Sequence, residues 1–83
     1  DRFIYELASK LTDKFGKNKQ IVVNNRPDIA HLSGAGLHIG QEDLSVNAIR
    51  SKFDPPLLGL SCHNDEQISR AQELDIDYFS IGP

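Results

Sequence analysis

The stretch Ile21-Val22-Val23-Asn24-Asn25-Arg26-Pro27-Asp28-Ile29-Ala30-His31-Leu32-Ser33-Gly34-Ala35-Gly36-Leu37-His38-Ile39-Gly40 decides how this 83-residue chain folds. Ile21-Val22-Val23 is a β-branched run, too brief for a helix and apolar on both faces, which predicts a buried parallel strand. It stops at the polar Asn24-Asn25-Arg26. Pro27 suits a first helical turn, Ile29, Ala30 and Leu32 continue a short apolar stripe, and Gly34 closes it. Gly36-Leu37-His38-Ile39-Gly40 then reads as a second strand. Strand, helix and strand linked by short loops are the mark of a right-handed β-α-β unit.

The same alternation extends in both directions. Upstream, Ile4, Leu7, Ala8, Leu11 and Phe15 recur at intervals of three and four, predicting an amphipathic helix that ends at Gly16; Lys17 to Gln20 reads as a solvated turn. Downstream, Ser45 is a suitable N-cap for a helix carrying Val46, Ile49 and Phe53 on one side, and Asp54-Pro55-Pro56 stops it. Leu57-Leu58-Gly59-Leu60-Ser61 reads as a third strand. Asn64 and Gln67 resemble a capping box ahead of a helix with Ile68, Ala71 and Leu74 on one face, and Tyr78-Phe79-Ser80-Ile81 is a fourth strand. Strand ends near positions 23, 39, 61 and 81 suit either an open doubly wound sheet or an arc of an eight-stranded barrel.

A complete barrel normally needs about 250 residues, so this chain supplies roughly half of one. Residues 1–83 read as a single unit without a linker, beginning inside a helical pattern and stopping after a strand. We therefore read the chain as a piece of a longer protein. Two open sheet edges and an uncovered face predict that it is not stable alone and requires further chain or a second copy, a homo-oligomer being one way to cover them.

Nine Lys and Arg against twelve Asp and Glu give a net charge of −3. With no basic cluster denser than residues 14–19, this balance predicts neither a nucleic-acid nor an anionic-membrane partner. Cys62, the single cysteine, excludes an intrachain disulfide and a cysteine-rich zinc site. A reducing, cytoplasmic setting fits best. No window approaches the ~20 apolar residues of a membrane span, and the first residues lack a signal-peptide core.

Ligands of parallel α/β sheets bind at the carboxyl ends of the strands. Those ends lead into Asn24-Asn25-Arg26, Gly40-Gln41-Glu42-Asp43, Ser61-Cys62-His63-Asn64 and Gly82-Pro83. Three of the four release polar or acidic groups suited to a metal ion or an anionic substrate. Each also has a purely structural reading. Asn24-Asn25 suits a left-handed turn, Glu42-Asp43 complements a helix dipole, Ser61 and Asn64 serve as caps, and His31 and His63 are surface residues. His38, within a strand, is equally suited to a structural hydrogen bond and to facing a ligand.

Taken in order, Val22-Val23-Asn24-Asn25-Arg26, Ala35-Gly36-Leu37-His38-Ile39-Gly40-Gln41-Glu42-Asp43-Leu44, Leu58-Gly59-Leu60-Ser61-Cys62-His63 and Asp77-Tyr78-Phe79-Ser80-Ile81-Gly82-Pro83 resemble the thiamin phosphate synthase and thiazole tautomerase family. The match follows that family's third to sixth barrel strands, over about residues 20–83. The resemblance implies a partial (β/α)8 TIM barrel of about four parallel strands with intervening helices. It implies a Mg²⁺-dependent transferase that joins a hydroxymethylpyrimidine pyrophosphate to a thiazole phosphate and releases pyrophosphate. In that family the departing pyrophosphate leaves a pyrimidine-methyl cation that the thiazole nitrogen captures.

Carried over by position, Asn24 contacts the pyrimidine pyrophosphate, Ser61 hydrogen-bonds its pyrophosphate, and Asp43 is a Mg²⁺ ligand. The family pattern has aspartate, a second metal-holding residue, where this chain has Asn25. A neutral amide still offers an oxygen but removes one negative charge, which predicts weaker metal binding. Two further readings stand beside the synthase: a diverged barrel, tautomerase-like or fused to a Nudix hydrolase, which Asn25 favours, and a non-catalytic binder of phosphorylated ligands. The family's glutamine-x-arginine-x-lysine strand and lysine-bearing threonine-rich loop lie outside this chain, so the isolated chain is expected to be inactive.

Overall fold

In the computed structural model, residues 2–15 and 20–82 are described. The elements run α1 (Arg2–Phe15), β1 (Val22–Asn24), α2 (Pro27–Ser33), β2 (Gly36–Ile39), α3 (Val46–Lys52), β3 (Leu58–Cys62), α4 (Asp65–Ala71) and β4 (Tyr78–Ile81). The expected end of the first helix at Gly16, most of the turn after it and Pro83 lie outside the described residues.

All strand pairs are parallel and the sheet order is β1-β2-β3-β4. This order separates the two architectures that the strand spacing allowed. A doubly wound sheet reverses direction at a switch point and carries helices on both faces, whereas a barrel adds each strand beside the last. Successive side chains alternate between faces. Val23, Leu37 and Leu58 align across the sheet, as do Ile39 and Leu60. With Cys62 they are buried beside Ile29, Ala30, Val46, Ile49 and Ala71 from the helices. The other face presents Asn24, His38, Gly59 and Tyr78 in one row, and Ser61 with Ser80 in the next. One face is therefore a helix-covered core and the other an inner wall, as in an arc of a (β/α)8 barrel.

Local signals set the end of α2 and the starts of α3 and α4 where the sequence predicts. Gly34 caps α2 at φ 76°, a left-handed geometry that glycine adopts without a Cβ penalty. The Ser45 side chain accepts from Ala48 N at 3.2 Å, and Asn64 Oδ1 accepts from Gln67 N at 2.9 Å. The reciprocal arm of the capping box is displaced by one residue: Gln67 Oε1 accepts from His63 N at 2.7 Å, ahead of the cap itself.

Three expectations about burial are corrected. Leu32 belongs to no buried stripe, being 67% exposed, because only Ile29 and Ala30 of α2 turn onto the sheet. Val22 is exposed while Val23 is buried, since β1 is an edge strand of the sheet with its inner face uncovered among the described residues. Leu74 lies beyond the end of α4 and is exposed rather than extending that helix's apolar face. Ile4 and Leu7 on α1, with Phe79 and Ile81 on β4, are also exposed. The apolar surface thus concentrates at the two ends of the four-strand row, where a closed barrel would continue.

Candidate active site at the carboxyl ends of the strands

Asn24, Asn25, Asp43 and Ser61 come together. All four line one open cleft of about 490 Å³, with His38, Gly40, Gln41 and Glu42 completing its wall. Parallel register makes this happen, because Asn24, His38 and Gly59 are direct neighbours and the loops beyond them leave on the same side.

Asn25 sits at φ 61°, a left-handed conformation that Asn and Asp tolerate better than other side-chain-bearing residues. Its N–H donates to the His38 carbonyl at 2.9 Å, tying the first loop to β2. The left-handed turn reading thus holds for Asn25, while Asn24 is the last residue of β1, and both line the cleft. Asp43 closes the loop after β2 onto itself: Gly40 N donates to its Oδ2, at 2.6 Å. That bond holds the carboxylate at the cleft. Gln41 Nε2 donates to the Ser61 carbonyl at 2.9 Å, which fixes the end of β3 against the same loop.

Ser61 is not a helix cap, a role that falls to Asn64. Its hydroxyl instead meets His38 Nε2 at 2.7 Å, while His38 Nδ1 meets the Tyr78 hydroxyl at 2.9 Å. His38 is therefore held between two hydroxyls on the inner wall. Tyr78 escaped the sequence reading. The available signal was Gly59, a glycine in mid-strand, where the backbone or a neighbouring side chain approaches closely. A Cβ at position 59 would run into the Tyr78 ring, which lies across β3 to reach β2. Burial raises the Tyr78 phenol above its ordinary pKa, keeping it protonated.

Arg26 does not serve the cleft. Its guanidinium engages Asp28 through two bonds, at 3.1 and 2.9 Å, and holds that carboxyl down at about 2. His31 and His63 are exposed as expected, and His63 Nδ1 lies 3.0 Å from the Gly82 carbonyl. Cys62 is fully buried on the helix side and takes no part in the inner wall.

Among the described residues no lysine or arginine lines the cleft, and no group of three or more His, Cys, Asp or Glu able to hold a metal occurs. The lining is rich in amide, hydroxyl and carboxylate oxygens. Such a set suits a hard cation carried with an oxyanion ligand better than a dedicated protein cage.

Fold and cleft together define an arc of a (β/α)8 barrel with oxygen donors gathered at the carboxyl ends of its strands, the side on which such barrels carry their ligand sites. A model of the thiamine monophosphate synthase family matches residues 1–83. A thiamine-phosphate synthase of Rhodopirellula baltica is 40% identical over 87 residues, covering 100% of this chain and 23% of that protein. One of Mycobacterium tuberculosis is 48% identical over 63 residues, covering 74% and 28%. The structure of a thiamine phosphate pyrophosphorylase from Pyrococcus furiosus superposes with a TM-score of 0.89 at 24% identity, covering 99% of this chain and 42% of that one; this likeness speaks to the fold. The chain belongs to the thiamine monophosphate synthase family. It spans about a quarter of the length of these curated relatives.

Proposed function

We propose that residues 1–83 are the third to sixth strands of one thiamin phosphate synthase barrel. The whole protein joins a hydroxymethylpyrimidine pyrophosphate to a thiazole phosphate and releases pyrophosphate. The observation that carries this reading is the convergence of Asn24, Asn25, Asp43 and Ser61 on one cleft, in a chain matched along its length by the family model. The partners are two small phosphorylated molecules. A net charge of −3 without a dense basic cluster speaks against a nucleic-acid partner. The lone, buried thiol suits a cytoplasmic setting.

The donor set fits Mg²⁺. That ion keeps several waters and takes one or two carboxylates plus substrate phosphate oxygens, so Asp43 with the Asn25 amide oxygen is a sufficient protein share. When bound, Mg²⁺ supplies neutralisation of the charge that develops on the departing pyrophosphate. The chain's own residues do the rest. The Gly40 N–H fixes Asp43, Gln41 fixes the end of β3, and Asn24 and Ser61 offer polar groups to the pyrophosphate end of the substrate.

The test is titration of the full-length protein with the pyrimidine pyrophosphate, with and without Mg²⁺, followed by the thiazole phosphate while thiamin phosphate is monitored. Mg²⁺-dependent product is the expected result. Binding without product would assign a diverged barrel instead, and absence of binding would leave only the fold.

A further inference from the structure

His38 bridges two hydroxyls of unequal acidity, and this asymmetry gives the bridge a direction. A neutral imidazole has one N–H and one acceptor nitrogen, and its tautomer is set by what each nitrogen faces. Nδ1 faces the Tyr78 hydroxyl at 2.9 Å and Nε2 faces the Ser61 hydroxyl at 2.7 Å. A phenol, with a pKa near 10, is a far stronger acid than an aliphatic alcohol and so the better donor. Tyr78 O–H therefore donates to Nδ1, the ring proton sits on Nε2, and Nε2–H donates to Ser61 Oγ. The serine's own proton is then free to turn into the cleft. The opposite polarity would make Ser61 donate to His38, the arrangement of a base-activated nucleophile.

We propose that Tyr78 is a positioning residue that locks His38 in its Nε2–H tautomer and thereby makes Ser61 a hydrogen-bond donor to an anionic oxygen of the bound ligand. Three features support it. Gly59 is the gap through which the Tyr78 ring crosses β3, so the phenol reaches Nδ1 only because position 59 lacks a side chain. The His38 and Tyr78 rings lie 5.6 Å apart, centroid to centroid, with a tilt of 32°. The Ser61 backbone is independently pinned by Gln41, so rotation about the serine side chain is the freedom that remains. The identification of the anion as the substrate pyrophosphate rests on the synthase reading; the tautomer does not.

The experiment is long-range ¹H–¹⁵N correlation of the His38 ring in the full-length protein, with Tyr78→Phe and Gly59→Ala beside it, and a titration of each with the pyrimidine pyrophosphate in Mg²⁺. The wild type is expected to show Nε2–H and a bare, accepting Nδ1. Both variants are expected to shift toward Nδ1–H or to average the two forms, and to bind the ligand about tenfold more weakly. Ser61→Ala should bind comparably weakly, and adding Tyr78→Phe to it should cost little more, since both act through one proton. An Nδ1–H ring in the wild type, or a Tyr78→Phe ring unchanged from it, overturns the proposal, and the first of these can be read even if a variant fails to fold. An Nε2–H wild type that does not bind the pyrimidine pyrophosphate upholds the relay and overturns the synthase reading.

Discussion

The two ends of this parallel sheet carry similar polar residues and use them in opposite ways. At the amino ends of β3 and β4, Arg50 of α3 is a hub. It donates to the carbonyls of Pro55 and Asp75, each at 2.9 Å, and pairs with Asp54 at 3.2 Å and Asp77 at 3.1 Å. Asp77 in turn accepts from the Leu58 N–H at 2.7 Å, joining the starts of the two strands. Arg50 thus faces three carboxylates there, Asp54, Asp75 and Asp77. At the carboxyl ends, Asn24, Asn25, Asp43 and Ser61 turn toward a cleft. The backbone offers the same open hydrogen-bonding groups at both ends, so the difference lies in which side chains answer them. One end spends its polar groups on register, and the other gathers them around an open cleft, the arrangement expected of a barrel's stability and active faces.

The sharpest way to break this comparison is one substitution at each end. Asp43→Ala is expected to lower Mg²⁺-dependent product formation by about a hundredfold or more. It should lower stability only by the ~1 kcal/mol of its bond to Gly40 N. Arg50→Ala should do the reverse, destabilising by about 2 kcal/mol, since several partly solvated bonds are lost together. Its turnover per folded molecule should stay unchanged. Denaturant unfolding and initial rates on the same preparations check both. A large loss of stability in Asp43→Ala, or of turnover in Arg50→Ala, would erase the distinction.

A smaller effect sharpens the active end. Asn25 occupies a left-handed position at φ 61° that Asp also tolerates, so Asn25→Asp changes charge with little change in backbone strain. Half-maximal activity is expected at an about tenfold lower Mg²⁺ concentration, because a second carboxylate strengthens a hard-cation site. An unaltered Mg²⁺ titration would mean that position 25 serves only the turn. It would then belong with the residues that build the sheet rather than with those that face the ligand.

Much of this layout was legible in the residues because its signals are local. Pro27, Gly34, Ser45 and Asn64 mark helix ends within a few positions of themselves, and each does so in the structure. The candidate site followed from one rule about parallel strand ends together with the family pattern. The unread features depend on which residues become neighbours across strands. Tyr78 and His38 stand forty positions apart and meet only because β2, β3 and β4 align His38, Gly59 and Tyr78 in one row. Arg50 reaches Asp77 across 27 positions by the same logic. Leu32 misled for the converse reason: a short helix shows an apolar stripe on paper, but only the residues turned toward the sheet are buried.

The smallest expected effect lies at the amino end and concerns pH. The Leu58 N–H, and after it the Arg50 guanidinium, hold the Asp77 carboxyl below its usual range. A carboxylate with a lowered folded pKa contributes stability that is full above its unfolded value near 4 and is lost as pH falls through the folded value. Between those two values the unfolded chain binds more protons than the folded one, so stability rises with pH. Asp77→Asn removes this dependence. It should cost about 1 kcal/mol at neutral pH, and its stability curve should converge on the wild type's as the pH falls below about 4. Asp28, held at about 2 by Arg26, adds its own acid loss to both proteins and cancels in the difference. Denaturant midpoints of the full-length protein between about pH 2.5 and 7 read that difference directly. A gap that stayed constant down to the lowest pH would mean that Asp77 acts through hydrogen bonding alone, and the amino end would then be held by geometry rather than by charge.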